Sequence, residues 1–306
     1  MTVVVRAATR SSPLARWQTD HVAQLLAAVD RTVVVEPVVV STEGDRRTDV
    51  PIHTMGGKGV FSKEVQGAVL DGRADIAVHS AKDLPGVTLP GLRLAAVPER
   101  ADPRDALVGA SLDELAAGAT VATGSVRRRA QLLRLRPDLA IVELRGNIHT
   151  RLARVGEVAA IVMAAAALDR LDLDRDDAYR LDTAVMLPQV GQGALAVECR
   201  FDDSLADLLA EIEHAPTRWA VDSERAFLAE LGGDCDLPAA AHATADSVGL
   251  RLVGSRQHHS AADCDGFAPQ RRVEELFDRR IEGIQIGVKD GGPASHETIL
   301  TEHMFD

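Results

Sequence analysis

The sequence predicts an α/β fold with a largely parallel sheet. Short β-rich apolar runs alternate with stretches whose apolar residues recur at helical spacing. Past a segment rich in charge, Pro and Gly, the same alternation starts again, so the chain reads as more than one such unit. At 306 residues it has room for two or three domains. Hydrophobic residues make up 46% and aromatics only 3%, so the cores must be built from Ala, Val, Leu and Ile.

Each element follows from its own stretch. "TVVVRAA" reads as a strand. "PLARWQTDHVAQLLAAV" reads as a helix, with Leu14, Trp17, Leu25, Leu26 and Val29 near one face. "RTVVVEPVVVS" is a second strand region, and Pro37 suggests an edge or a bend there. "SKEVQGAVLDG" is helical and stops at Gly72, and "ADIAVHS" is again a strand. "VPERADPRDALVG" has the composition of a crossing between domains. The second unit runs through the strand "ATVATGS", the helix "VRRRAQLLRL", the strand "LAIVELRG", the helix "NIHTRLARV" and the strand "AAIVMAAAA". "LPQVGQGALAVECR" starts in a Gly-rich turn and ends as a strand. A third unit begins near Ala215, with a helix through "VDSERAFLAEL" ended by Gly232 and Gly233. Past about residue 255 the pattern weakens to loop, with one helical segment near Val273–Phe277.

Charge and cysteine content narrow the function. The net charge of −12 argues against general nucleic-acid binding, which needs a basic face, so an anion site must be a local basic pocket. The three cysteines, Cys199, Cys235 and Cys264, show neither metal-site spacing nor a disulfide framework, which implies a reduced, cytoplasmic setting and no metal. "MTVVVRAATRSS" has too short an apolar run for a signal peptide. No stretch approaches the ~20 apolar residues of a membrane span.

Three places share one form: a strand, then Ser, Thr or Asn, then a helix. In "RAATRSSPLARW", Ser12 can cap a helix whose first turn holds Pro13, and Arg10 arrives just before it. In "ATGSVRRRAQ", Thr123 and Ser125 precede Arg127 and Arg128. In "LRGNIHTRLA", Arg145 precedes a possible Asn147 cap and Arg151 follows one turn in. A helix N-terminus offers unpaired N–H groups and partial positive charge, and guanidinium beside it grips carboxylate or phosphate in a fork. One capped helix is ordinary in any α/β protein. Three arginine-decorated junctions in so acidic a chain point to a polyanionic ligand. "HTMGGKGVF" could carry Lys58 close to such a ligand, and it departs from the phosphate-loop pattern because Gly59 follows the lysine. "DIAVHSAKDLP" ends an apolar strand in His79, Ser80, Lys82 and Asp83, where parallel α/β sheets place their ligands. Asp83 among cations could be a structural ion pair, or it could stabilise a developing cation or shuttle a proton. His79 reads as a satisfied core residue.

"GGKGVFSKEV" followed by "ADIAVHSAKDLP" resembles the porphobilinogen deaminase family, also called hydroxymethylbilane synthase. So do "ATRSSPLARWQ", "STEGD", "ERADPRDAL", "RPDLAIVELRGNIHTRL", "LPQVGQGALAVECR" and "SERAFLAELGGDC", in family order over about residues 3–240. The resemblance implies two periplasmic-binding-protein-like α/β lobes with a cleft, plus a small α+β C-terminal domain. Residues 1–97 and 192–213 would form domain 1, residues 98–191 domain 2 and residues 214–306 domain 3. It implies a dipyrromethane cofactor held by Cys235 through a thioether, porphobilinogen as substrate, and a monomer. The reaction would add four porphobilinogen units with loss of ammonia, then release hydroxymethylbilane by hydrolysis. Asp83 would be the catalytic carboxylate. Arg10, Ser12, Lys82, Thr123, Ser125, Arg127, Arg128, Arg145, Gly146 and Arg151 would bind the carboxylates of cofactor and substrate. Lys58 and Phe61 would lie on the active-site loop, and Gln192 near the hinge.

Some positions depart from the family pattern. Gly124 replaces a serine, Arg129 a glutamine, Ala159 an aspartate and Ala167 a glycine. Asp234 stands where glycine is usual, and the tail beyond Ala243 resembles the family only faintly. Cys235 follows a helix end between two aspartates, which disfavours thiolate. An anchor that forms one thioether need not be a low-pKa nucleophile at every turnover. The alternatives are an inactive paralogue and a non-catalytic two-lobed protein that binds a small anion.

Overall fold

The structure is a computed structural model describing residues 2–46, 59–173, 175–232, 238–245, 250–256, 286–290 and 297–303. The expectations for Lys58, Asp234, Cys235 and the helix near Val273–Phe277 lie outside the described residues.

The first sheet begins with β1 (Val3–Arg10), α1 (Pro13–Val29) and β2 (Val33–Val40). A four-residue helix α2 (Glu43–Arg46), then α3 (Lys63–Leu70), β3 (Ile76–Ser80) and β4 (Leu92–Ala96) follow. The second sheet uses β5 (Asp105–Val108), β6 (Thr120–Ala122), α4 (Val126–Leu135), β7 (Ala140–Val142), α5 (Ile148–Leu152), β8 (Ala160–Ala164), α6 (Ala165–Arg170) and β9 (Ala178–Arg180). The chain then returns with β10 (Leu195–Arg200) and α7 (Leu205–Ala210). It ends in α8 (Ala215–Glu230), β11 (Ala239–Ala245), β12 (Leu250–Arg256), β13 (Ile286–Asp290) and β14 (Glu297–His303).

The strand orders are β2-β1-β3-β10-β4 and β7-β6-β8-β5-β9. These are the same pattern. In each, a parallel trio (β2, β1, β3 or β7, β6, β8) is followed by an antiparallel strand that arrives from the other sheet's side of the chain. β10 enters the first sheet after the whole second sheet is built, and β5 enters the second directly from β4. Two crossings therefore tie the lobes, one over residues 97–104 and one over residues 181–194. The expectation of a largely parallel sheet needs correction: β10 and β4, like β5 and β9, run antiparallel to their neighbours. A strand that comes back from the opposite lobe enters from the opposite end.

Aliphatic residues fill both cores, as the scarcity of aromatics requires. Val5, Val22, Leu26, Ile76, Leu195 and Val197 pack the first. Val108, Leu144, Ile161 and Met163 pack one face of the second, and Leu107, Leu132, Val162 and Met186 the other. The third sheet, β11-β12-β14-β13, is antiparallel, and α8 lies on β11 and β12 through Phe227 and Leu228. Among the described residues no helix is long and apolar enough to cross a membrane.

Candidate active site

The three predicted helix caps form. Ser12 Oγ accepts from Ala15 N–H at 3.3 Å, with Pro13 opening α1. Ser125 Oγ accepts from Arg128 N–H at 3.4 Å, and Asn147 Oδ1 from Thr150 N–H at 3.0 Å. Thr123 is buried, and its Oγ1 accepts from Ser125 N–H at 3.2 Å, which tightens the turn into α4. Gly124 in that turn has a packing reason: a Cβ there would lie 2.6 Å from the Leu144 carbonyl oxygen.

Asp83 ends a three-residue 3₁₀ turn, Ala81–Asp83, directly after β3. The turn is fastened from several sides. Ala81 N–H donates to Ala194 O at 3.0 Å, and Gln189 Nε2 donates to Lys82 O at 3.3 Å. Just before it, Gln18 Nε2 of α1 donates to Ser80 Oγ at 2.8 Å. Gly191 presses against the turn so closely that a Cβ would meet the Ala81 carbonyl carbon at 2.9 Å. His79 is in the core, as expected: its Nε2 lies 3.1 Å from Glu198 Oε2, which also accepts from Gln66.

Cations from both lobes converge here. Lys82 is pushed down to about 8 by burial and then by the charge of Arg128, with Asp83 and Asp105 opposing. Arg151 is pushed down to about 10 by burial and then by Arg128 and Arg145, with Asp83 opposing and Arg10 adding to the push. Lys82 of the first lobe thus lies within electrostatic reach of Arg128 of the second, and Arg10 and Asp83 of the first within reach of Arg151. Arg151 Nε donates to Gly146 O at 2.8 Å, and Gly146 holds φ +98°, where a side chain would be strained and would also strike Thr150.

Arg10 does not stand open at the end of β1. Its fork grips Asp45, with Nε 3.1 Å from Oδ2, and its guanidinium lies 4.2 Å from the centroid of the Phe61 ring. Burial raises the Asp45 pKa, but Arg10 and Thr42 outweigh it and hold the carboxyl below its ordinary value. Gly44 makes room for the ring, since a Cβ there would fall 2.1 Å from Phe61 Cε1.

Arg127 and Arg128 are buried rather than displayed. Both meet Asp105: Arg127 Nη1 lies 2.8 Å from Oδ2 and Arg128 Nη2 2.7 Å from Oδ1. Gln192, fully buried on the second crossing, donates through Nε2 to Asp105 Oδ1 at 3.0 Å and to Pro103 O at 2.8 Å. Its own carbonyl accepts from Arg100 Nε at 2.8 Å. Sequence reasoning does not reach the roles of Asp45, Asp105, Gln189 and Gln18. Each lies in or beside a motif, but its partner is far along the chain, so only the fold reveals it.

The donor set suits a ligand with several carboxylates. Arg10, Lys82, Arg145 and Arg151 supply cations, and buried Arg127 keeps Nε and Nη2 without a hydrogen-bond partner among the described residues. A dipyrromethane bearing acetate and propionate arms fits that chemistry. Among the described residues no group of His, Cys, Asp and Glu could hold a metal ion.

The family model described as "Porphobilinogen deaminase, dipyromethane cofactor binding domain" matches residues 5–207. A porphobilinogen deaminase of Nitratidesulfovibrio vulgaris (strain DP4) is 49% identical over 302 residues, covering 96% of this chain and 92% of its own. One from Syntrophotalea carbinolica is 48% identical over 256 residues, covering 82% of this chain and 81% of its own. Among solved structures, the methionine-binding protein MetQ matches 73% of this chain and 93% of its own, at 14% identity and a TM-score of 0.44. On the family model and these relatives together, the chain belongs to the porphobilinogen deaminase family.

Proposed function

We propose that this chain is an active porphobilinogen deaminase. It condenses four porphobilinogen units onto a dipyrromethane primer anchored at Cys235, with loss of ammonia at each addition, and hydrolysis then yields hydroxymethylbilane. One observation carries the reading: in a chain of net charge −12, cations from two lobes gather around the turn that bears Asp83. A generic anion site needs no such carboxylate among its cations.

The bound dipyrromethane supplies the nucleophilic pyrrole carbon for chain growth. The protein's own residues do the rest. Lys82, Arg127, Arg145 and Arg151 hold acetate and propionate groups by charge-assisted hydrogen bonds, while Arg10 and Arg128, whose forks are engaged by Asp45 and Asp105, add positive charge beside them. Ser12, Thr123 and Ser125 add the dipoles and hydroxyls of two helix ends, and Gly146 brings its backbone close. The Asp83 carboxylate faces pyrrole N–H groups and offsets the positive charge that develops as ammonia leaves. Lys58 and Phe61 belong to the active-site loop in this proposal, and Gln192 is its hinge residue. The division into residues 1–97 with 192–213, 98–191 and 214–306 belongs to the same proposal, as does a cytoplasmic monomer.

The test is direct. Purified protein carrying its adduct is given porphobilinogen, and tetrapyrrole is followed by absorbance after oxidation. Steady product is expected. Loaded protein that forms none would overturn the reading.

A further inference from the structure

Asp105 opens β5, and its side chain is completely buried. The next three residues, Ala106, Leu107 and Val108, are all core. A carboxylate at this place therefore answers to something other than packing. Its two oxygens meet guanidinium groups from consecutive residues of α4. Arg127 Nη1 is 2.8 Å from Oδ2, while Arg128 approaches Oδ1 through Nη2 at 2.7 Å and Nε at 2.9 Å. Gln192 Nε2 also donates to Oδ1, at 3.0 Å.

Two cations against one anion is poor glue for a dry interior, because a surplus positive charge stays buried. The surplus makes sense if an anion is to arrive. The remaining donors can be accounted for one by one. Arg128 spends Nη1 on Val162 O at 3.0 Å and Nη2 also on Gln192 Oε1 at 3.4 Å. Arg127 spends Nη1 also on Leu187 O at 2.7 Å, which leaves Nε and Nη2 without a partner among the described residues. Those two atoms form one edge of a guanidinium fork, the edge that takes a carboxylate in bidentate fashion. Asp105, Leu187 O and the α4 backbone fix the opposite side of the group.

We infer that Asp105 is a positioning residue: it clamps the inner edges of Arg127 and Arg128 so that the Nε–Nη2 edge of Arg127 is held ready for a pyrrole-borne carboxylate. This rests on the proposed function. Asp105 itself touches no ligand.

The test compares wild type with Asp105→Glu and Asp105→Asn, each as the full purified chain. Intact mass gives the loaded fraction, and steady-state kinetics on that fraction give KM and kcat. Asp105→Glu keeps the charge and moves the carboxylate outward by one methylene. It should melt close to wild type yet raise KM for porphobilinogen roughly 10-fold, with kcat changed less than about 3-fold, or load a clearly smaller fraction. Asp105→Asn should show the same defect more strongly. Unchanged KM and full loading in folded variants would mean that Asp105 only supports the fold, and would overturn the inference. If neither variant folds, a crystal structure of the loaded wild type decides. Retained Asp105 contacts with a ligand carboxylate on Arg127 Nε and Nη2 support the clamp, and a ligand carboxylate in place of Asp105 refutes it. A wild type that neither loads nor turns over would instead remove the functional reading, and the clamp with it.

Discussion

Asp83 owes its place to its neighbours more than to its own contacts. Gln18 fixes the residue at the strand end, Gln189 and Ala194 O hold the two residues before Asp83, and Lys82 sits beside it. On the proposed function, Asp83→Asn keeps the shape and removes the charge that meets a developing cation. Its kcat should fall at least ~10²-fold while melting hardly moves, read by porphobilinogen turnover and a thermal scan. Near-normal turnover would refute the role. Lys82 gives a pH prediction. Burial and Arg128 lower it from 10.5 to about 8, so its cation is present below pH 8 and lost as pH rises through that value. KM for porphobilinogen should therefore rise above pH ~8, and Lys82→Gln should flatten that limb of the profile. A KM profile unaltered by Lys82→Gln would contradict it.

The elements were largely legible because their local signals were strong. β1, α1, β2, α3, β3, α4 and α5 lie where apolar periodicity, caps and glycines put them. β5 was not legible: it is four residues long and follows "ERADPR", so charge and proline masked it as part of a crossing. The alanine run after Met163 gave no period, and the predicted strand ends at Ala164 where α6 begins. The second crossing shows what sequence cannot give. Its Gly-rich look suggested a turn, but its contacts reach both lobes: Leu187 O accepts from Arg127 and Gln131, while Gly191 abuts the Asp83 turn. Gly191 has φ +70°, and a Cβ would also sit 3.0 Å from Lys82 N. Gly191→Ala should cost about 1–3 kcal/mol in a denaturant titration. It should also lower kcat by displacing the turn. Wild-type stability and rate together would show that the crossing does not hold Asp83.

At the scale of the molecule, one buried carboxylate joins three parts. Glu224 of α8 pairs with Arg100 of the first crossing at 2.7 Å, accepts from Gly191 N–H of the second at 2.6 Å, and accepts from Ala243 N–H of β11 at 2.8 Å. Glu224→Gln would leave the Arg100 guanidinium without its counter-charge, and should cost about 3–5 kcal/mol, read as a lower melting temperature. A melting temperature equal to wild type would deny this junction its role. The net charge of −12 makes a local basic pocket the expectation, and the proposed function puts it at Lys82 and Arg151, whose charges couple to Asp83. Pairings such as Arg127–Asp105 and Arg10–Asp45 had no sequence signal, because both partners are common residue types joined only by the fold.

The central claim is that this pocket serves a polycarboxylate held covalently and extended by the enzyme. Intact-mass measurement of the purified chain tests it most directly. Wild type should exceed its sequence mass by that of a dipyrromethane, and Cys235→Ser should show the bare mass. A wild type at the bare mass after exposure to porphobilinogen, or a Cys235→Ser protein that keeps the adduct, would contradict the account.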